Sequence, residues 1–97
     1  MKYDINDIKK IAVPIAKEYG VGKLALFGSY ARSEQNDASD VDFLIEKGKI
    51  QDLFMLGGFI NALEDSLGLN VDVLTYDALK NSLISDVIKD EIVLYEN

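Results

Sequence analysis

The chain has 97 residues, 48% of them hydrophobic, and a formal net charge of −7. That length suits one domain, residues 1–97, with a modest core, and leaves no room for a separate nucleic-acid-gripping domain. The acidic balance argues against a protein held on DNA or RNA by a basic face. The lack of cysteine excludes disulfides and zinc–thiolate centres, and the lack of histidine excludes an imidazole base or ligand.

In chain order, Asp4 or Asn6 is placed to cap a first helix, in which Ile5, Ile8, Ile11 or Ala12, Ile15 and Tyr19 recur at helical spacing. Pro14 removes a backbone donor inside that run, so the helix either kinks there or divides in two. Gly20 and Gly22 mark its end. Lys23 to Phe27 reads as a strand, and a short helix of about Ser29 to Glu34 follows. Ser33 to Ser39 is a polar loop. Val41 to Glu46 is the second strand, and Lys47-Gly48-Lys49 turns the chain. A third helix runs from about Gln51 to Leu67, with Leu53, Phe54, Gly57, Ile60, Leu63, Glu64 and Leu67 tracing its inner face. Gly57-Gly58 inside it costs about 1 kcal/mol per glycine, which suggests close packing against the sheet or a local break. The run from Phe54 to Ile60 is more apolar than one buried face requires, and the surplus is either core or a partner-contact surface. Gly68 ends the helix. Asn70 to Thr75 is the third strand. Leu79, Leu83, Ile84, Val87 and Ile88 mark a last helix, and Ile92 to Tyr95 is apolar enough for a short edge strand. The expected fold is α/β (α+β): a mixed three- to four-stranded sheet flanked by helices. The N-terminus is too polar for a signal peptide and no apolar run nears membrane-spanning length, so a cytoplasmic location is expected.

The chemistry-bearing residues lie between Leu24 and Ile45, LALFGSYARSEQNDASDVDFLI. Gly28 lets the chain turn sharply and lets a ligand approach the backbone. Ser29 can cap the helix, or offer its hydroxyl and N–H to an anion. Alone, a Gly-Ser pair is ordinary turn chemistry. Asp40 and Asp42 alternate with Val41 and Phe43. On a strand, residues two apart share a face at about 6.6 Å, so the two carboxylates point one way while Val41 and Phe43 face the core. Paired carboxylates suit Mg²⁺, which binds through one or two of them plus substrate phosphates. Alone, Asp-x-Asp is usually a solvated strand face. Asp72 stands in a valine-rich strand, against local propensity, and such conflicts concentrate at functional sites. Its bland reading is a salt bridge, to Arg32 or Lys23.

Gly28-Ser29, nine residues, then Ser39-Asp40-Val41-Asp42, with Asp72 on a later strand, resembles the DNA polymerase β-like nucleotidyltransferase superfamily. GSYAR…SDVDFLI is most similar to its minimal branch, the small MntA-type proteins that are often antitoxin partners of HEPN-domain toxins. The resemblance runs from about Val21 to Leu74, with an extension to Tyr95. It implies that Asp40, Asp42 and Asp72 are catalytic and hold two Mg²⁺ ions. It implies that Gly28, Ser29 and Arg32 bind the nucleotide, with Arg32 either touching phosphate or pairing with an acidic neighbour. It further implies AMP transfer from ATP to a tyrosine hydroxyl of a cognate HEPN toxin, silencing its RNase activity. One departure is Ser33, where the branch often has glycine. Two other classes compete. A degenerate, non-catalytic antitoxin would neutralise its partner by occlusion, and Asp-x-Asp phosphohydrolases place their first aspartate at the end of an N-terminal strand, which is not the order here. A transferase acting on a small molecule with a helper subunit is a further variant.

Overall fold

The computed structural model describes residues 3–31, 40–79 and 91–97. The first helix, α1 (Ile5–Tyr19), starts where Asp4 accepts a hydrogen bond from the Asp7 N–H while Asp7 returns one to the Asp4 N–H, and it closes at Gly20. Pro14 does not divide α1 in two, and the helix continues through it to Tyr19. Pro14 and Lys10, one turn earlier, are both exposed, so the carbonyl that proline leaves without its helical donor is on the solvent side of α1. Of the alternatives Ile11 and Ala12, Ala12 is the fully buried one, in line with Ile8 and Ala16.

The strands β1 (Lys23–Phe27), β2 (Val41–Glu46), β3 (Val71–Thr75) and β4 (Ile92–Glu96) form one mixed sheet in the order β3-β2-β1-β4. β1 pairs antiparallel with both β2 and β4, while β2 and β3 run parallel. The parallel pair needs a crossover, which α3 (Leu53–Leu67) supplies. Two short helical turns complete the described elements: α2 (Gly28–Ala31) directly after β1, and α4 (Tyr76–Leu79) directly after β3. The rest of the expected second helix, the loop Ser33 to Ser39 and most of the expected last helix lie outside the described residues.

Alternation along the strands sorts the sheet into two faces. One carries Leu24, Leu26, Val41, Phe43, Ile45 and Val71 into a core with Ile8, Ala12 and Ala16 of α1 and Phe59, Leu63 and Leu67 of α3. Tyr19 and Phe59 join the two helices, their ring centres 5.6 Å apart. The glycine pair neither breaks α3 nor packs against the sheet: a Cβ at Gly58 would lie 3.4 Å from Tyr19 of α1, an ordinary contact distance, and nothing lies within 4 Å of a Cβ at Gly57. The opposite face holds a smaller apolar group, Ala25 and Leu44, with Phe27 and Tyr76 packed against it.

The inner face of α3 differs from the spacing-based expectation. Leu53 and Phe54 are 82% and 92% exposed, and the buried line is Phe59, Leu63 and Leu67. Phe54–Ile60 is apolar around its whole circumference, so it offers no polar side from which to set the phase of the helix. Among the described residues no helix is long and apolar enough to cross a membrane.

Candidate active site

The face away from α1 and α3 carries the acidic residues. In the antiparallel register Phe27 stands opposite Asp42, and in the parallel register Asp42 stands opposite Asp72. Three strands therefore bring Phe27, Asp42 and Asp72 abreast in one row, with neighbouring strands about 4.8 Å apart. Residues 42 and 72 are thirty positions apart in sequence; the crossover through α3 makes them neighbours. Val41 and Phe43, flanking Asp42, are fully buried on the other face, as the alternation predicts. Asp42 itself is half-buried, whereas Asp40 and Asp72 are exposed. Asp40 lies just before β2, where the Val41 N–H donates to the Asn70 carbonyl at 3.0 Å and starts the β2–β3 pairing.

Gly28 closes the row from the β1 side. Its φ is +73°, a left-handed conformation that favours glycine. A Cβ built there would fall 2.3 Å from Oδ2 of Asp42 and 3.2 Å from its Cγ. The Asp42 carboxylate thus lies directly against the main chain where β1 turns into α2. The expected roles of the Ser29 hydroxyl and of Arg32 lie outside the described residues.

The donor chemistry suits a hard divalent cation such as Mg²⁺: carboxylate oxygens on neighbouring strands, with solvent access for the ion's remaining waters or phosphates. The space a side chain at position 28 would fill is taken by Asp42 instead. Asp42 and Asp72 are brought side by side by the register, and Asp40 sits one pleat repeat before Asp42. Among the described residues no three acidic side chains close together into a cluster able to hold a metal by themselves. A metal bound at this row would draw further ligands from a substrate's phosphates, as Mg²⁺ sites usually do.

At the far end of the same face is a cluster that the sequence reading did not anticipate. Lys23 Nζ lies 3.3 Å from Glu91 Oε1 and 4.7 Å above the centre of the Tyr76 ring. The Tyr76 hydroxyl donates to Glu91 Oε2. Burial, reinforced by the hydrogen bond and charge of Glu91 and by Glu46 and Glu96, pushes the Tyr76 hydroxyl well above its ordinary pKa of 10.0. Lys23 is thus committed to Glu91, against the alternative that paired it with Asp72. The signal lay in strand register, which places Lys23 between Glu46 and Glu96, and register is not written in any one segment.

Comparison with known proteins adds the following. The family model described as a nucleotidyltransferase domain matches residues 8–95. A relative from Methanocaldococcus jannaschii, named provisionally as a protein adenylyltransferase, is 43% identical over 90 residues, which is 93% of this chain and 96% of that protein. A crystal structure described as a toxin–antitoxin with AMP-PNP has a TM-score of 0.78 at 19% identity, over 92% of this chain and 73% of that one. A structure of a tri-AMPylated Shewanella oneidensis HEPN toxin in complex with MNT antitoxin has a TM-score of 0.70 at 16% identity, over 93% of this chain and 71% of that one. At such identities these last two show a shared fold.

Proposed function

The chain belongs to the nucleotidyltransferase-domain family, and on that premise we propose that it is a Mg²⁺-dependent enzyme transferring AMP from ATP to a tyrosine hydroxyl of a cognate HEPN-domain toxin, as the antitoxin of the pair. The observation that carries this is the row of Asp42 and Asp72, side by side on the face away from the helices, with Gly28 against the Asp42 carboxylate. The protein-adenylyltransferase name of the Methanocaldococcus relative, the AMP-PNP in one fold neighbour and the AMPylated HEPN toxin in another support the acceptor and the nucleotide. A cytoplasmic setting, where ATP and Mg²⁺ are both at hand, goes with this reading.

In this scheme Asp40, Asp42 and Asp72, together with the substrate's phosphates, would hold two Mg²⁺ ions, and Ser29 with nearby backbone N–H groups would hold the β- and γ-phosphates. Bound Mg²⁺ supplies charge neutralisation at the attacking and leaving oxygens of an in-line displacement. Asp72, exposed at the outer strand, accepts the proton of the acceptor hydroxyl. The tyrosine oxygen forms a bond to the α-phosphorus, the bond from that phosphorus to the β-bridging oxygen breaks, and pyrophosphate leaves. No histidine is required.

The test is incubation with α-labelled ATP, Mg²⁺ and a HEPN-domain partner. Label on a partner tyrosine with pyrophosphate released is the expected result, lost in Asp42→Asn and Asp72→Asn. Inhibition of the partner without any label transfer would replace catalysis by occlusion, and release of free phosphate would replace the transferase by a hydrolase.

A further inference from the structure

Gly28 has two separate reasons to carry no side chain, and they predict different things. The first is conformational: φ is +73°. The second is steric, because a Cβ would fall 2.3 Å from Asp42 Oδ2, far inside van der Waals contact. Gly68 has nearly the same φ, +69°, yet nothing lies within 4 Å of a Cβ built there. At Gly20, another glycine of similar φ, a Cβ would fall 2.7 Å from the Cβ of Lys49, so that position is closed as well, but by an aliphatic side chain outside the acidic row. At Gly28 the missing side chain is replaced by a carboxylate oxygen of a residue in the acidic row. That carboxylate is held by a strand whose neighbours, Val41 and Phe43, are fully buried, so it cannot retreat by shifting its backbone.

We propose that Gly28 is a positioning residue for Asp42: its bare α-carbon sets where the Asp42 carboxylate rests, and through it the affinity of the row for a divalent cation. This rests on the reading of Asp42 as a metal-holding residue and deepens it. Glycine at the turn is thereby needed for the placement of a metal ligand on the next strand, in addition to any approach of phosphate to the backbone. A methyl group at 28 displaces Oδ2 from the position it holds against the main chain. Displacing a group that orients a metal ligand typically weakens metal binding roughly 10–100-fold.

The experiment is Mn²⁺ binding to the full chain in the presence of AMP-PNP, with protein-bound ion followed by electron paramagnetic resonance against an AMP-PNP-only control, on wild type, Gly28→Ala, Asp42→Ala, the double variant and Gly68→Ala. The expected result is about tenfold or greater weakening in Gly28→Ala, no further weakening when Gly28→Ala is added to Asp42→Ala, and wild-type affinity in Gly68→Ala. Wild-type Mn²⁺ affinity in Gly28→Ala, or an equal loss with and without Asp42, overturns the proposal. If Asp42→Ala itself leaves Mn²⁺ binding unchanged, Asp42 is not a metal ligand; that failure is distinguishable, because it appears in the single variant that leaves Gly28 intact. Thermal unfolding gives a second readout that needs no metal. Gly28→Ala should lower the midpoint more than Gly68→Ala does, or fail to fold, and adding Asp42→Ala should bring the loss back to that of Gly68→Ala. A double variant as destabilised as Gly28→Ala alone would show that the contact with Asp42 is not what excludes a side chain at 28.

Discussion

Replacing Asp72 by asparagine should move stability and chemistry in opposite directions. Asp42 and Asp72 are register partners on adjacent parallel strands. Two like charges about 5 Å apart repel by about 0.8 kcal/mol at the dielectric of water and about 1.7 kcal/mol at half that value. Asp72 is exposed and Asp42 half-buried, so the lower figure is nearer. Physiological salt, with a screening length of about 8 Å, reduces it further. Asparagine keeps the shape and removes the charge, so the metal-free protein should gain about 0.4–0.8 kcal/mol, within the range known for like charges on facing strands. In a chain of 97 residues that corresponds to a rise in Tm of about 2–6 °C. The assay is thermal unfolding followed by circular dichroism, once in EDTA and once in Mg²⁺ with AMP-PNP. In EDTA the variant should be the more stable. With Mg²⁺ and AMP-PNP the wild type should overtake it, because ligand stabilises a fold only as far as it binds it, and label transfer by the variant should fall to background. An Asp72→Asn protein that is less stable in EDTA, or that keeps the full ligand-induced shift, would refute the reasoning.

Tyr76→Phe should flatten the alkaline limb of stability. In the unfolded chain Tyr76 ionises near 10.0, while in the fold burial and then Glu91 hold it protonated to higher pH. Folded protein therefore binds more protons above pH 10, so wild-type stability falls as pH rises past that point and the variant should lack this component in denaturation curves. Phe54→Ser should leave Tm nearly unchanged, within about 0.5 kcal/mol, because the ring is 92% exposed; a clear loss would mean that the ring is buried in solution. Phe59→Ala should cost about 3–5 kcal/mol in urea titrations, since its ring is fully buried against Tyr19.

The strands were largely legible because each is short and apolar. β1 and β2 have the expected ends, and β3 and β4 differ by one residue at one end. The caps were legible for a similar reason, since Asp4 and Gly20 act within a single turn. Pro14 could not be resolved in advance because its cost depends on whether Lys10 faces water, a tertiary fact. Leu53 and Phe54 were misassigned because an all-round apolar run has no polar marker to fix its rotation. The motif residues Gly28, Asp40, Asp42 and Asp72 could be picked out by type and spacing. Their arrangement could not: that Asp72 pairs with Asp42 depends on the β2–β3 register. The Lys23–Tyr76–Glu91 cluster likewise depends on β4 docking against β1 with a register shift between Leu24 and Ala25.

β3 is one of the two outer strands of the sheet. Its sequence, Val71-Asp72-Val73-Leu74-Thr75, is otherwise the kind of stretch that recruits a strand from a second molecule, and Leu74 is already 38% exposed. The negative charge at 72 therefore also guards against self-association, by making edge-to-edge stacking of copies electrostatically unfavourable. An inactive variant made with an apolar residue at 72 would trade a silent enzyme for an aggregation-prone one, whereas asparagine keeps a polar gatekeeper in place.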